Sequence, residues 1–115
     1  MTWTFDRSAY RIPYPPTARA LLVMGRDERP LVDISERGFR YVAAPGPLPE
    51  PGDVVEGTVR LLSDRTPIEV TGKVVRIFDR EIAVELESPG IPARLLFGEQ
   101  RFLARRFPAR FGPSR

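Results

Sequence analysis

Apolar and polar residues alternate with period two through most of this chain, in short runs separated by Pro and Gly. Asp53 to Leu62 is the clearest run. Val55, Gly57, Val59 and Leu61 fall on one face, and Glu56, Thr58 and Arg60 on the other. Arg80 to Glu87 repeats the pattern, with Ile82, Val84 and Leu86 inward and Ala83, Glu85 and Glu87 outward. Thr66 to Phe78 is longer, and its phase shifts near Gly72, from Ile68 and Val70 to Val75 and Ile77. A glycine at a phase shift predicts a β-bulge there. Earlier strands are expected at Thr17 to Gly25, Pro30 to Ser35 and Phe39 to Ala44. Six short antiparallel strands leave two edges exposed, and closure into a barrel hides both.

The period changes after Pro92. Leu95, Leu96, Glu99, Phe102, Leu103, Arg106 and Phe107 recur at steps of three and four, which predicts a helix that packs one stripe on the barrel. Pro92 suits a first helical turn and Pro108 ends the pattern. The fold class is therefore all-β, a small six-stranded antiparallel barrel with one C-terminal helix. The expected divisions are an Arg-bearing N-terminal arm over 1–16, a barrel over 17–91, a helix over 92–107 and a tail over 108–115. At 115 residues these make one domain.

Composition narrows the chemistry. The chain has neither Cys nor His. Disulfides, thiolate nucleophiles, His bases, Ser-His-Asp triads and most zinc sites are thereby excluded. Carboxylates remain, but Asp79 with Glu81, and Glu85 with Glu87, read as solvated charges with no reacting partner. A binding module is expected, with no catalytic residues, no metal and no cofactor. No apolar run approaches the roughly 18 to 20 residues that span a bilayer, and Met1 to Arg11 do not read as a secretion signal.

Of 18 basic residues 17 are Arg, the remaining one being Lys73. Arg is favoured where phosphate, carboxylate or a planar base is gripped in a fork. Net charge is +2 over residues 1–30, −4 over 31–90 and +5 over 91–115. An anionic ligand is expected to meet the terminal segments.

Two short patterns stand out. Arg7-Ser8-Ala9-Tyr10-Arg11 places two Arg four positions apart, ahead of an extended Pro-rich stretch, Ile12 to Pro16. Asp33-Ile34-Ser35-Glu36-Arg37-Gly38 has the spacing D-x-S-x-x-G. In this order, with one strand between them, the two resemble the motifs of the PilZ domain family, receptors for the bacterial messenger cyclic di-GMP. The resemblance covers nearly the whole chain. It implies a flexible N-terminal arm, a six-stranded barrel and a C-terminal helix. It also implies that Arg7, Arg11, Asp33, Ser35 and Gly38 occupy the nucleotide-binding positions. A cytoplasmic protein that signals to a partner protein is implied as well.

The residue chemistry agrees with that ligand. A guanidinium can pair with phosphate, fork onto guanine O6 and N7, or stack on the base. A carboxylate such as Asp33 accepts the N–H donors of guanine, and the Ser35 hydroxyl can assist. Asp33 and Ser35 are two apart and point the same way, so Val32 and Ile34 are expected inside the barrel. Gly38 permits positive φ or close backbone approach. Arg37 and Arg40 flank this turn as further candidates. Asp6, before the first motif Arg, disfavours a second stacked ligand molecule. Without ligand the two motif Arg are expected to lack an anchored partner, leaving the arm free. The alternative reading is a PilZ-like adaptor that binds no nucleotide and acts through protein contacts, as in type IV pilus assembly. A barrel that stacks single-stranded nucleic acid on Phe39 and Tyr41 is the third reading.

Overall fold

The computed structural model describes residues 11–111. Seven strands appear: β1 (Ile12–Pro13), β2 (Leu21–Met24), β3 (Asp27–Ser35), β4 (Gly38–Val42), β5 (Val54–Arg60), β6 (Ile68–Phe78) and β7 (Glu81–Leu86). They are followed by helix α1 (Ala93–Arg106) and the short α2 (Pro108–Phe111). Strands β3, β2, β5, β6, β7 and β4 run side by side, and pairing of β4 with β3 closes them into a barrel. Every pairing is antiparallel.

The alternation seen in the sequence builds the core. Leu22, Leu31, Ile34, Phe39, Val59, Val74 and Ile82 are buried inside, and Leu96 and Leu103 of α1 join the same cluster. None of the described helices is long and apolar enough to cross a membrane.

Four local features differ from expectation. First, β1 is an extra strand. Ile12 pairs with Ile34 and Pro13 with Asp33, beyond the stretch of β3 that pairs with β2. Ile12 and Tyr14 are buried, so this part of the arm belongs to the barrel wall. Second, Val32 is not a core residue. Tyr41 and Arg40 are adjacent on β4, yet they pair with Leu31 and Asp33 on β3, leaving Val32 as the extra residue of a bulge. The bulge resets the phase, so Leu31 and Ile34 both point inward although they are three apart.

Third, the bulge in β6 lies between Val74 and Arg76, not at Gly72. Val75 is the extra residue and is exposed, so it does not point inward. Gly72 is required for a different reason. A Cβ there would stand 2.3 Å from the Glu85 carbonyl oxygen on β7, closer than any side chain permits. Fourth, the chain beyond Pro108 turns into α2 rather than trailing away at once.

Helix α1 is held by a charge as well as by its apolar stripe. Glu99 is fully buried. It accepts the Tyr14 hydroxyl at 2.5 Å and the N–H groups of Leu62 and Ser63 at 2.9 and 2.8 Å. One carboxylate thus ties the helix to the arm and to the β5–β6 loop. Tyr14 titrates well above the ordinary tyrosine range, because it is buried and because Glu99 stands beside it.

Candidate functional site

The D-x-S-x-x-G segment is the β3–β4 hairpin. Ser35 pairs with Gly38 across the two-residue turn Glu36-Arg37. The Ser35 hydroxyl donates to the Gly38 carbonyl at 3.2 Å, closing the turn from inside. The turn's own carbonyls are also used. Glu36 O accepts from the Ile91 N–H at 2.9 Å and Arg37 O from the Leu86 N–H at 2.7 Å. Gly38 is needed for close approach: a Cβ would sit 2.3 Å from the Val84 carbonyl oxygen. The turn is therefore fixed from both sides, and the Arg37 side chain projects outward from it.

Strand registers carry the site across the outer wall. Asp33 pairs with Arg40, Arg40 with Ala83, and Ala83 with Arg76. This row places two arginines on either side of a small alanine, with the aspartate at its end. A second row runs Ser35, Gly38, Glu85 and Lys73. The two bulges aim the row. The Val32 bulge turns Asp33 outward. Without the Val75 bulge Arg76 would continue the inward phase of Val70, Gly72 and Val74.

Between these rows lies an open groove of about 530 Å³, lined by Arg11, Ser35, Arg37, Gly38, Val75, Arg76 and Glu85 among others. A smaller hollow of about 110 Å³ shares Arg11 and Arg76 and adds Arg40, Phe78 and Glu81. Phe78 is 75% exposed at its rim. An apolar side chain so exposed beside cations is available for stacking.

Asp33 is the electrostatic centre. It is only 3% exposed. Arg11 donates to its Oδ1 at 3.0 Å, and Arg40 donates to Oδ2 through Nε at 2.9 Å and a terminal nitrogen at 2.6 Å. The other terminal nitrogen of Arg40 pairs with Glu81 at 3.1 Å. Arg40 titrates above its usual value, first because of its hydrogen bonds to Asp33, with burial opposing. Arg37 and Arg76 have no ion-pair partner among the described residues. The groove and the smaller hollow thus bring together two committed guanidiniums, Arg11 and Arg40, two without an ion-pair partner, Arg37 and Arg76, and the carboxylates of Glu85 and Glu81, with Asp33 held by Arg11 and Arg40. Such a surface can take phosphate oxygens and a planar base together.

Of the residues singled out in the sequence, Arg11, Ser35 and Gly38 line this groove, and Asp33 meets it through its pair with Arg11. Arg7 lies outside the described residues, as does Asp6. Arg11 is not without an anchor, since Asp33 holds it across 22 positions of sequence. Phe39 and Tyr41 are buried and in contact with each other, with ring centroids 6.5 Å apart, and offer no stacking face. Arg76 was not anticipated. Its signal was present: a charge at the next inward position after Val74 requires a phase shift between the two.

Comparison with known proteins agrees with the fold. The family model described as PilZ domain matches residues 5–102. No curated protein matches the chain. Among solved structures, the crystal structure of an uncharacterized Legionella protein superposes with a TM-score of 0.60 at 16% identity. The match covers 84% of this chain and 97% of that one, and shows the fold alone.

Proposed function

The chain belongs to the PilZ domain family, and we propose that it is a bacterial cyclic di-GMP receptor without catalytic activity. The ligand would lie in the groove between the N-terminal arm and the outer barrel wall. Arg7, Arg11, Asp33, Ser35 and Gly38 are the assigned binding positions. The observation that carries this reading is the pairing of Arg11 with Asp33 at an Arg-lined groove that Arg11, Ser35 and Gly38 line together. Arg11 and Arg37 would take the phosphates. Asp33 is the acceptor for the guanine N–H donors once its present partners yield. Gly38 acts through the backbone, keeping β4 close to β7 so that the turn and its Arg stay in place.

Output would pass to a partner protein in the cytoplasm. The arm ahead of β1 would be the element that changes, because Arg11 lines the groove and directly precedes β1. Calorimetric titration with cyclic di-GMP tests the reading, with GTP and single-stranded DNA as controls. Saturable binding of the dinucleotide alone is expected. Silence with all three would favour an adaptor that acts through protein contacts only.

A further inference from the structure

Asp33 is already saturated on one oxygen. A carboxylate has about four acceptor positions, two on each oxygen. Arg40 fills both on Oδ2, and Arg11 takes one on Oδ1. The Watson–Crick edge of guanine presents two N–H donors side by side and needs both oxygens at once. It cannot pair with Asp33 while Arg40 is in place.

Arg40 has somewhere to go. It stands between two carboxylates on neighbouring strands, Asp33 on β3 and Glu81 on β7. Its guanidinium already reaches Glu81 at 3.1 Å while it forks onto Asp33. Its side chain is 40% exposed and that of Glu81 36%, so both can move in solvent. Rotation about the Glu81 contact would release Asp33 without leaving Arg40 unpaired.

We propose that Arg40 is a latch on Asp33, displaced onto Glu81 when a guanine edge enters, so that the Arg40–Glu81 pair sets the affinity of the groove. This rests on the reading of the groove as a cyclic di-GMP site. Arg40 is a positioning residue here, acting through Asp33. The latch makes the two residues of the pair opposite in sign. Loss of the Arg40 fork frees Oδ2 and tightens binding. Loss of the Glu81 charge removes the receiving site and weakens it. With the latch gone, Glu81 has no further effect.

The test is calorimetric titration of cyclic di-GMP into wild type, Arg40→Lys, Arg40→Ala, Glu81→Gln and the Arg40→Ala/Glu81→Gln double variant. Arg40→Lys keeps the positive charge but loses the planar fork, which separates the latch from general attraction for an anion. Arg40→Ala is measured at about 0.5 M salt, where that attraction is screened. Both are expected to bind about three- to tenfold tighter than wild type, and Glu81→Gln about threefold weaker. The double variant should match Arg40→Ala. If wild type binds and Arg40→Lys binds equally or more weakly, the latch is overturned and the receptor reading stands. If neither wild type nor any variant binds, the receptor reading fails and the latch with it.

Discussion

Tyr14, at the end of the arm, donates its hydroxyl hydrogen bond to Glu99, 85 residues away on the C-terminal helix. Both side chains are buried, at 3% and 0% exposure. Arg11, three residues earlier, lines the groove and holds Asp33. The stretch from Arg11 to Tyr14 therefore links the groove at one end to the helix at the other. The Tyr14 N–H, donating to the Val32 carbonyl at 3.0 Å, keeps it against β3 between these anchors.

Removing the Tyr14 hydroxyl should destabilise the fold. A hydrogen bond to a charged group contributes about 1.5 to 3 kcal/mol, and Tyr14→Phe should lose an amount in that range. Glu99→Ala should lose more, because it also leaves the buried N–H groups of Leu62 and Ser63 without an acceptor. Urea denaturation checks both. Equal stabilities for wild type and Tyr14→Phe would show that the bond contributes nothing.

The same pair predicts alkaline instability. The folded-state pKa of Tyr14 is raised well above the ordinary tyrosine value of about 10, by burial first and by Glu99 second. The stabilisation is complete below the unfolded value and fades as pH rises above about 10. Tyr41, raised chiefly by burial, acts in the same direction. Melting temperature should fall above about pH 10 in wild type and fall less steeply in Tyr14→Phe. Parallel curves for the two proteins would exclude Tyr14 as a source.

How legible this was in the sequence can be judged residue by residue. Alternation in β5 and β7 placed Val55, Val59, Ile82 and Val84 correctly, because neither strand carries an inserted residue. It misplaced Val32 and Val75, because an inserted residue reverses the phase and a purely periodic reading has no term for it. Glu99 was placed on the apolar helical stripe, but its partners, Tyr14 and the β5–β6 loop, are far away in sequence. Short-range pattern does not report such contacts. The motif residues around Asp33 were legible, whereas Arg40 closing on Asp33 follows from the β3–β4 register that the bulge sets.

The two motif arginines should be separable from folding. Arg7→Ala and Arg11→Ala are each expected to weaken cyclic di-GMP binding by at least about 1.5 kcal/mol. Arg11→Ala should change stability by less than about 1 kcal/mol, since its side chain is half exposed and Arg40 still holds Asp33. Wild-type affinity in the double variant would rule out the site.

Ser35 and Gly38 should differ in kind. Ser35→Ala removes one turn hydrogen bond, a loss of about 1 kcal/mol. Gly38→Ala drives a Cβ into the Val84 carbonyl, which is backbone and cannot step aside. A loss of about 2 kcal/mol or more is expected, of the size of overpacking in a tight core. Thermal unfolding of the two variants decides this, and a Gly38→Ala protein as stable as wild type would contradict the close approach.

Salt dependence should sort the groove into phosphate and base contacts. Arg76 reaches the groove only because Val75 is bulged out, and it has no ion-pair partner among the described residues. A cation left unpaired beside a groove adds attraction for phosphate, which depends on ionic strength. Arg76→Ala should therefore weaken cyclic di-GMP binding and flatten its dependence on salt. Asp33→Ala should weaken binding with the slope nearly kept, because a base-edge contact carries identity rather than counterion release. Titrations of the two variants at about 0.05, 0.15 and 0.5 M salt give the slopes. Equal slopes would mean that Arg76 does not meet a phosphate and that its place at the groove is incidental to the ligand.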